Sequence, residues 1–185
     1  MLLTKIKAGN VLIAEPSIIG DVSFQRSVVM VANHDEKGSI GFIMNKPLIH
    51  TLSDIVPSIT EEFRIFNGGP VEQDNLYFIH NVPDLVPNSV EIAQGIYWGG
   101  DFDVVVELIS KKIISQDNVK FFLGYSGWSK NQLKVEMESN AWVARDNNLN
   151  KIISQPAMYY WRNDIEALGG EYLLWVNAPE NPSYN

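Results

Sequence analysis

From Val11 to Trp98 the apolar residues come in short runs rich in β-branched side chains. Glycine, proline or asparagine closes most of them, and extended helical periodicity appears only after Asp101. Strands first and helices later is the order of an α+β chain. Regular βαβ alternation, and with it a doubly wound sheet, is not supported. Expected strands are Val11 to Ala14, Ser27 to Ala32, Ser39 to Met44, Leu76 to His80, Val90 to Ala93 and Ile96 to Trp98. The second and third form a hairpin whose tip is Asn33-His34-Asp35-Glu36-Lys37-Gly38, and Asn45-Lys46-Pro47 stops it. Ile65-Phe66 leads into Gly68-Gly69-Pro70. A short helix over Thr51 to Val56 interrupts the series and ends at Pro57.

Asp101 opens the first long helical pattern. Phe102, Val105, Val106, Ile109 and Ile113 line one face, Asp101 suits the N-cap, and Lys111-Lys112 suit the negative end of the helix dipole. Val119 to Leu123 reads as a strand that turns at Gly124-Tyr125-Ser126-Gly127-Trp128 into a helix. That helix starts at Ser129, with Gln132 completing a capping box. Ala141 to Ala144 is extended. A last helix begins at Pro156, turns Trp161, Ile165 and Leu168 one way, and closes at Gly169-Gly170. Leu173 to Val176 reads as a final strand. Residues 1–178 are expected to form one α+β domain and 179–185 a loose polar tail.

The chain has no cysteine, which removes disulfides, thiolate metal sites and cysteine nucleophiles. Its 14 basic and 22 acidic residues give a net charge of −8, which repels a phosphate backbone. No basic stripe emerges, so direct nucleic-acid binding is not expected. The N-terminal segment is broken by Lys5, Lys7 and Glu15 and is no signal peptide, and no apolar run approaches a membrane span. A soluble cytoplasmic protein is the expectation.

The sharpest chemical motif is Gly124-Tyr125-Ser126-Gly127-Trp128. A serine on a tight strand-to-helix turn is the setting of a nucleophile elbow, with His34 or His80 as base and Asp21, Asp35 or Asp74 to orient it. The elbow needs a small residue two positions after the serine, and Trp128 stands there, so no catalytic residue is assigned. A serine hydrolase using Ser126 remains the alternative reading. The histidines at 34, 50 and 80 have no ligand spacing, so neither a metal nor a cofactor is expected. Gly99-Gly100 precedes a helix, but the Asp101 carboxylate would occupy the N-terminus and repel an anion. Asn45-Lys46 and Gly68-Gly69 offer a cation, an amide and room for close backbone approach. Together they would make a small polar pocket.

The order of these motifs resembles the YqgE/AlgH family of bacterial proteins. The resemblance runs through Leu12-Ile13-Ala14, Pro16, Asp21, Phe24, Arg26-Ser27-Val28-Val29, His34, Gly38, Gly41 and Asn45-Lys46-Pro47. It continues with Gly68-Gly69-Pro70-Val71 and His80, and is most specific at Gly124-Tyr125, Gly127-Trp128, Gln132-Leu133, Glu136, Asn140 and Trp142. It implies a bifurcated, mostly antiparallel sheet rolled into a pseudo-barrel with helices packed against it. Members are often labelled transcriptional regulators, and one branch is named for alginate biosynthesis. The acidic charge makes any such regulation indirect. The family usually carries alanine where this chain has Ser126, which counts against a catalytic serine. Glu15 and Val22 also depart from its pattern.

The leading expectation is therefore a non-enzymatic regulatory or ligand-binding protein with an unidentified protein or small-molecule partner. Asn45, Lys46, Gly68, Gly69, Tyr125, Trp128, Gln132 and Glu136 are its expected binding surface. Lys46 would meet an anionic group, Trp128 would offer an apolar platform, and Gln132 with Glu136 would orient polar atoms from successive helical turns. Trp128 and Trp142, flanking the Ser129 helix, could equally pin it to the sheet.

Overall fold

A computed structural model of the chain, described for residues 5–15, 23–146, 149 and 152–176, carries one branched sheet and five α-helices among those residues. The main path of the sheet runs β10-β1-β2-β3-β9-β6-β8-β7. Its strands are β1 (Val11–Ala14), β2 (Val28–Asp35), β3 (Gly38–Ile43), β6 (Val71–His80), β7 (Val90–Ala93), β8 (Ile96–Trp98), β9 (Val119–Ser129) and β10 (Trp142–Arg145). Two more, β4 (Pro47–Thr51) and β5 (Arg64–Asn67), form a side branch. Every pairing is antiparallel except β5 on β9. The ends of the path, β10 and β7, do not pair, so the sheet stays open.

The branch point is β9. Its first half lies between β6 and β5, where Phe121 faces Phe78 on one side and Ile65 on the other. Along its second half β3 replaces β5, pairing Gly41 with Ser126 and Gly38 with Ser129. The expected turn at Gly124–Trp128 is thus a continuation of the strand. Gly124 takes φ +71°, the β6 register slips between Val71 and Leu76, and pairing with β3 keeps the chain extended to Ser129. Strand pairing overrides the glycine-rich turn signal here.

Helix α1 (Leu52–Ile55) is a single turn after Thr51, and helix α2 (Phe102–Ser110) begins as its sequence predicts. The Asp101 carboxylate accepts from the backbone N–H groups of Asp103 (3.1 Å) and Val104 (3.3 Å). Val105 and Ile109 bury against Ile65, Phe78 and Phe121. Helix α3 (Gln132–Glu138) starts later than expected, with Asn131 left-handed at φ +65° as its N-cap, although the Gln132 carboxamide does accept from the Ser129 N–H at 3.0 Å. Helix α4 (Tyr160–Leu168), preceded by a 3₁₀ turn at Ala157–Tyr159, covers the largest core, which holds Met30, Phe42, Phe122 and Trp161. Trp161 donates its indole N–H to the Ala14 carbonyl at 3.2 Å.

Leu173 to Val176 is a helix, α5, and not the expected strand. Four apolar residues carry no decisive period, and the left-handed Gly169 and Gly170 lead into a 3₁₀ turn that continues as helix. The tail 179–185 lies outside the described residues. No helix among the described residues is long and apolar enough to cross a membrane.

Candidate functional site

The Asn45–Lys46 and Gly68–Gly69 turns lie side by side, the Asn67 N–H donating to the Lys46 carbonyl at 2.8 Å, while Trp128, Gln132 and Glu136 form a group of their own. At the fork, Gly68 donates its N–H to the Leu123 carbonyl (2.8 Å), while its own carbonyl accepts from the Ile43 N–H and the Ser126 hydroxyl, both at 3.0 Å. A Cβ on Gly68 would lie 2.1 Å from the Gly124 carbonyl oxygen, and one on Gly69 2.3 Å from Tyr125 backbone. These glycines let the chain entering β6 press against β9. Tyr125 beside them is half-buried, its ring edge-on to Tyr77 at 5.7 Å.

Asn45 and Lys46 fasten the loop before β2. The Asn45 carboxamide donates to the Arg26 carbonyl (2.8 Å) and accepts from the Val28 N–H (2.9 Å), and the Lys46 ammonium donates to the Ser23 carbonyl (2.7 Å).

Trp128, Gln132 and Glu136 do meet. One oxygen of the Glu136 carboxylate accepts the indole N–H of both Trp128 and Trp142, each at 2.8 Å, and the other accepts from Gln132 at 3.0 Å. The two indoles stand edge-to-face at 5.9 Å with Phe24 beside them. Trp128 is only 5% exposed, so its ring is packed between neighbours.

Ser126 is fully buried on β9 and spends its hydroxyl on Gly68. His34 faces the Ser39 hydroxyl across the hairpin at 2.7 Å. Asp35 accepts from the Lys37 and Gly38 N–H groups of the hairpin turn, which holds its carboxyl below the usual value, and Asp74 is exposed. His80 is fully buried. Its Nδ1 accepts from the Val82 N–H (3.3 Å), so Nε2 carries the proton and donates to the Gly99 carbonyl (3.1 Å). Burial lowers its pKa, against a smaller opposite pull from that carbonyl. Asp21 lies outside the described residues. In this arrangement Ser126 has neither solvent access nor the exposed turn that an elbow needs.

A larger opening lies elsewhere. A cleft of about 880 Å³ lies between the β5–β9 edge and the segment from Ile153 to Arg162, with Asn45 on its wall. Arg26, Phe66, Lys120 and Trp161 line it as well. The Arg26 guanidinium sits 4.9 Å from the centre of the Trp161 ring. Lys120 is 4% exposed, with its ammonium 4.1 Å from the centre of the Phe66 ring and 5.2 Å from that of Tyr160. Burial drives its pKa down to about 7. Tyr160 donates its hydroxyl to the Ile152 carbonyl, and burial together with the nearby Asp164 carboxylate pushes its own pKa up.

Sequence reasoning passed over this cleft. The signal was a lysine inside the apolar run Val119-Lys120-Phe121-Phe122-Leu123, where both faces of the strand are core. No cluster of three or more histidines or carboxylates is placed to hold a metal among the described residues.

The profile of the AlgH-like family matches residues 11–173. The chain belongs to the AlgH-like family. It is 38% identical over 182 residues to a UPF0301 protein of Pelodictyon phaeoclathratiforme, covering 98% of this chain and 97% of that protein. A UPF0301 protein of Cytophaga hutchinsonii is also 38% identical, over 186 residues and the full length of both. Among solved structures, a Corynebacterium diphtheriae protein matches with a TM-score of 0.77 at 20% identity, covering 96% of this chain and 95% of that one. The solution structure of AlgH from Pseudomonas aeruginosa matches with a TM-score of 0.72 at 23% identity, covering 93% and 94%. At these identities the two structures establish the shared fold of this AlgH-like protein.

Proposed function

We propose that this AlgH-like protein is a non-enzymatic regulatory protein that responds to a small ligand held in the cleft between β5–β9 and the α4 segment. Any influence on transcription is indirect. The observation that carries the reading is the cleft itself. Its volume of about 880 Å³ falls in the range of small-molecule sites, about 300–1,000 Å³, and charged, amide and aromatic side chains share its walls. Asn45 belongs to it directly, through a side chain that also ties the Arg26 loop to β2. The net charge of −8 supports a route that does not pass through direct DNA contact.

The test is a thermal-shift screen of a metabolite library on wild type and on Ala157→Trp, which fills the cleft wall. At least one compound raises Tm in wild type and not in the filled variant. A library that leaves wild type unmoved, or shifts both proteins alike, overturns the reading. Duplex DNA at low salt shows no retardation; binding that weakens steeply with salt would instead mark a direct DNA-binding protein.

A further inference from the structure

Lys120 is a buried cation without a conventional partner. Among the described residues its ammonium has no hydrogen-bond acceptor and no carboxylate; it meets the faces of Phe66 and Tyr160 and opens toward the cleft. Aromatic faces recover only part of what a lysine loses on leaving water. Its strand neighbours, Val119 at 2% and Phe121 at 0% exposure, show that the position is core, so the ammonium reaches solvent only by way of the cleft.

The cleft is also electrically unlike the chain around it. Among the described residues its lining holds four basic ones, Arg26, Arg64, Lys120 and Arg162, against two acidic ones, Glu62 and Asp117, in a protein with 14 basic and 22 acidic residues. Both acids are exposed, as are Arg64 and Arg162, the latter paired with Glu166 at 3.0 Å, so Lys120 is the buried charge of the cleft. Among the described residues, the groups that titrate or carry charge around Lys120 are these five lining neighbours, Tyr160 and the Asp164 carboxylate near Tyr160, which pairs with Arg145 at 3.2 Å; no histidine lines the cleft. Apolar surface from Phe63, Phe66, Met158 and Trp161 completes the walls.

We propose that the cleft binds a small organic anion, with the Lys120 ammonium receiving the ligand's carboxylate or phosphate group and the aromatic wall covering its apolar body. This rests on the ligand-binding reading above and names its chemistry. A buried ammonium lacking a counter-charge is completed by an anion delivered from solution. The desolvation that burdens the empty site strengthens the pair once it forms. Ligand binding and proton binding at Lys120 are then linked: an anion favours the charged amine, and raising pH past the amine's titration weakens the anion.

The experiment uses three probes, benzoate, inorganic phosphate and the neutral benzamide, followed by ¹H–¹⁵N spectra and by the ¹³Cε shift of Lys120. Benzoate or phosphate is expected to perturb Val119–Phe121 and Phe66 and to move the Lys120 titration upward by about one unit or more. Anion affinity falls about tenfold or more from pH 6 to pH 9. Benzamide binds at least about tenfold more weakly than benzoate. Lys120→Met loses the anion preference and Lys120→Arg keeps part of it.

Equal binding of benzoate and benzamide, or an anion affinity unchanged in Lys120→Met, overturns the inference while leaving a ligand-binding cleft. No binding of either anion at about 10 mM also overturns it, and the library screen then judges the cleft separately. Should Lys120→Met fail to fold, the wild-type ¹³Cε titration decides. A midpoint that either anion moves upward supports the proposal, and one that stays in place refutes it.

Discussion

The two halves of β9 solve opposite problems. From Gly124 to Ser129 the polar groups singled out above find partners inside the protein. The Ser126 hydroxyl meets Gly68, the Trp128 indole meets Glu136, and the Ser129 N–H meets Gln132. From Val119 to Leu123 the strand is buried just as deeply, yet it carries a lysine whose charge, among the described residues, meets ring faces rather than an acceptor. The glycine-rich half, conspicuous in sequence, builds the fork of the sheet. The inconspicuous half lines the cleft. A distinctive motif therefore marks a demanding backbone arrangement here, and the chemical opening lies where one charged residue breaks an apolar run.

The strongest way to break this contrast is Gly68→Ala. Its Cβ would land 2.1 Å from the Gly124 carbonyl oxygen, a backbone atom within β9, so backbone must move. A loss of roughly 4–5 kcal/mol in urea unfolding is expected. A loss below about 1 kcal/mol would show that the fork is slack.

Lys120 moves stability the other way. The unfolded chain holds the lysine proton to about pH 10.4 and the folded chain releases it near 7, so the unfolded state binds more protons between them. Stability therefore rises with pH across that window, on the order of 3–4 kcal/mol, and the rise disappears in Lys120→Met. The variant should also exceed wild type near neutral pH. Chemical denaturation at a series of pH values between 6 and 10 checks both.

Glu136→Ala leaves two buried indole N–H groups without their shared acceptor and should cost about 2–4 kcal/mol; Glu136→Gln, which keeps one carbonyl oxygen, should cost less. Ser126→Ala removes one buried hydrogen bond and should cost about 1 kcal/mol, leaving ligand-induced Tm shifts intact. A Ser126 variant that lost ligand response would contradict the division of β9 drawn here.

His80 adds a smaller dependence at acid pH. Its lowered pKa means that the unfolded state takes up a proton first, so stability falls as pH drops through the ordinary imidazole range. His80→Gln should flatten that fall.

Much of the architecture was legible. The β2–β3 hairpin with its charged tip, β1, β7, β8 and the Asp101 cap of α2 follow from runs and turn residues close together in the chain. Gln132 and Glu136, one turn apart, were expected to orient a ligand's polar atoms; here Gln132 donates to Glu136, whose carboxylate takes the indole N–H groups of Trp128 and Trp142. Helix α5 was misread because Leu173 to Val176 fits either period, and β4 was hidden beside Pro47. Asn45 was singled out for its amide, which meets backbone on both sides while also bordering the cleft.

By itself the sequence determined what depends on near neighbours: the segregation of strands from helices, the capped start of α2, the glycines demanded by close backbone approach, and the membership of the AlgH-like family. Tertiary structure decided that the strand continues through Gly124–Trp128, that Ser126 is sealed, and that Lys120 is stranded over two rings beside an open cleft. The reason is physical. Turn chemistry and periodicity act over a few residues. Hydrogen-bond pairing between strands and removal of a charge from water are set by segments distant in the chain, Gly68 against Ser126 and Tyr160 against Lys120.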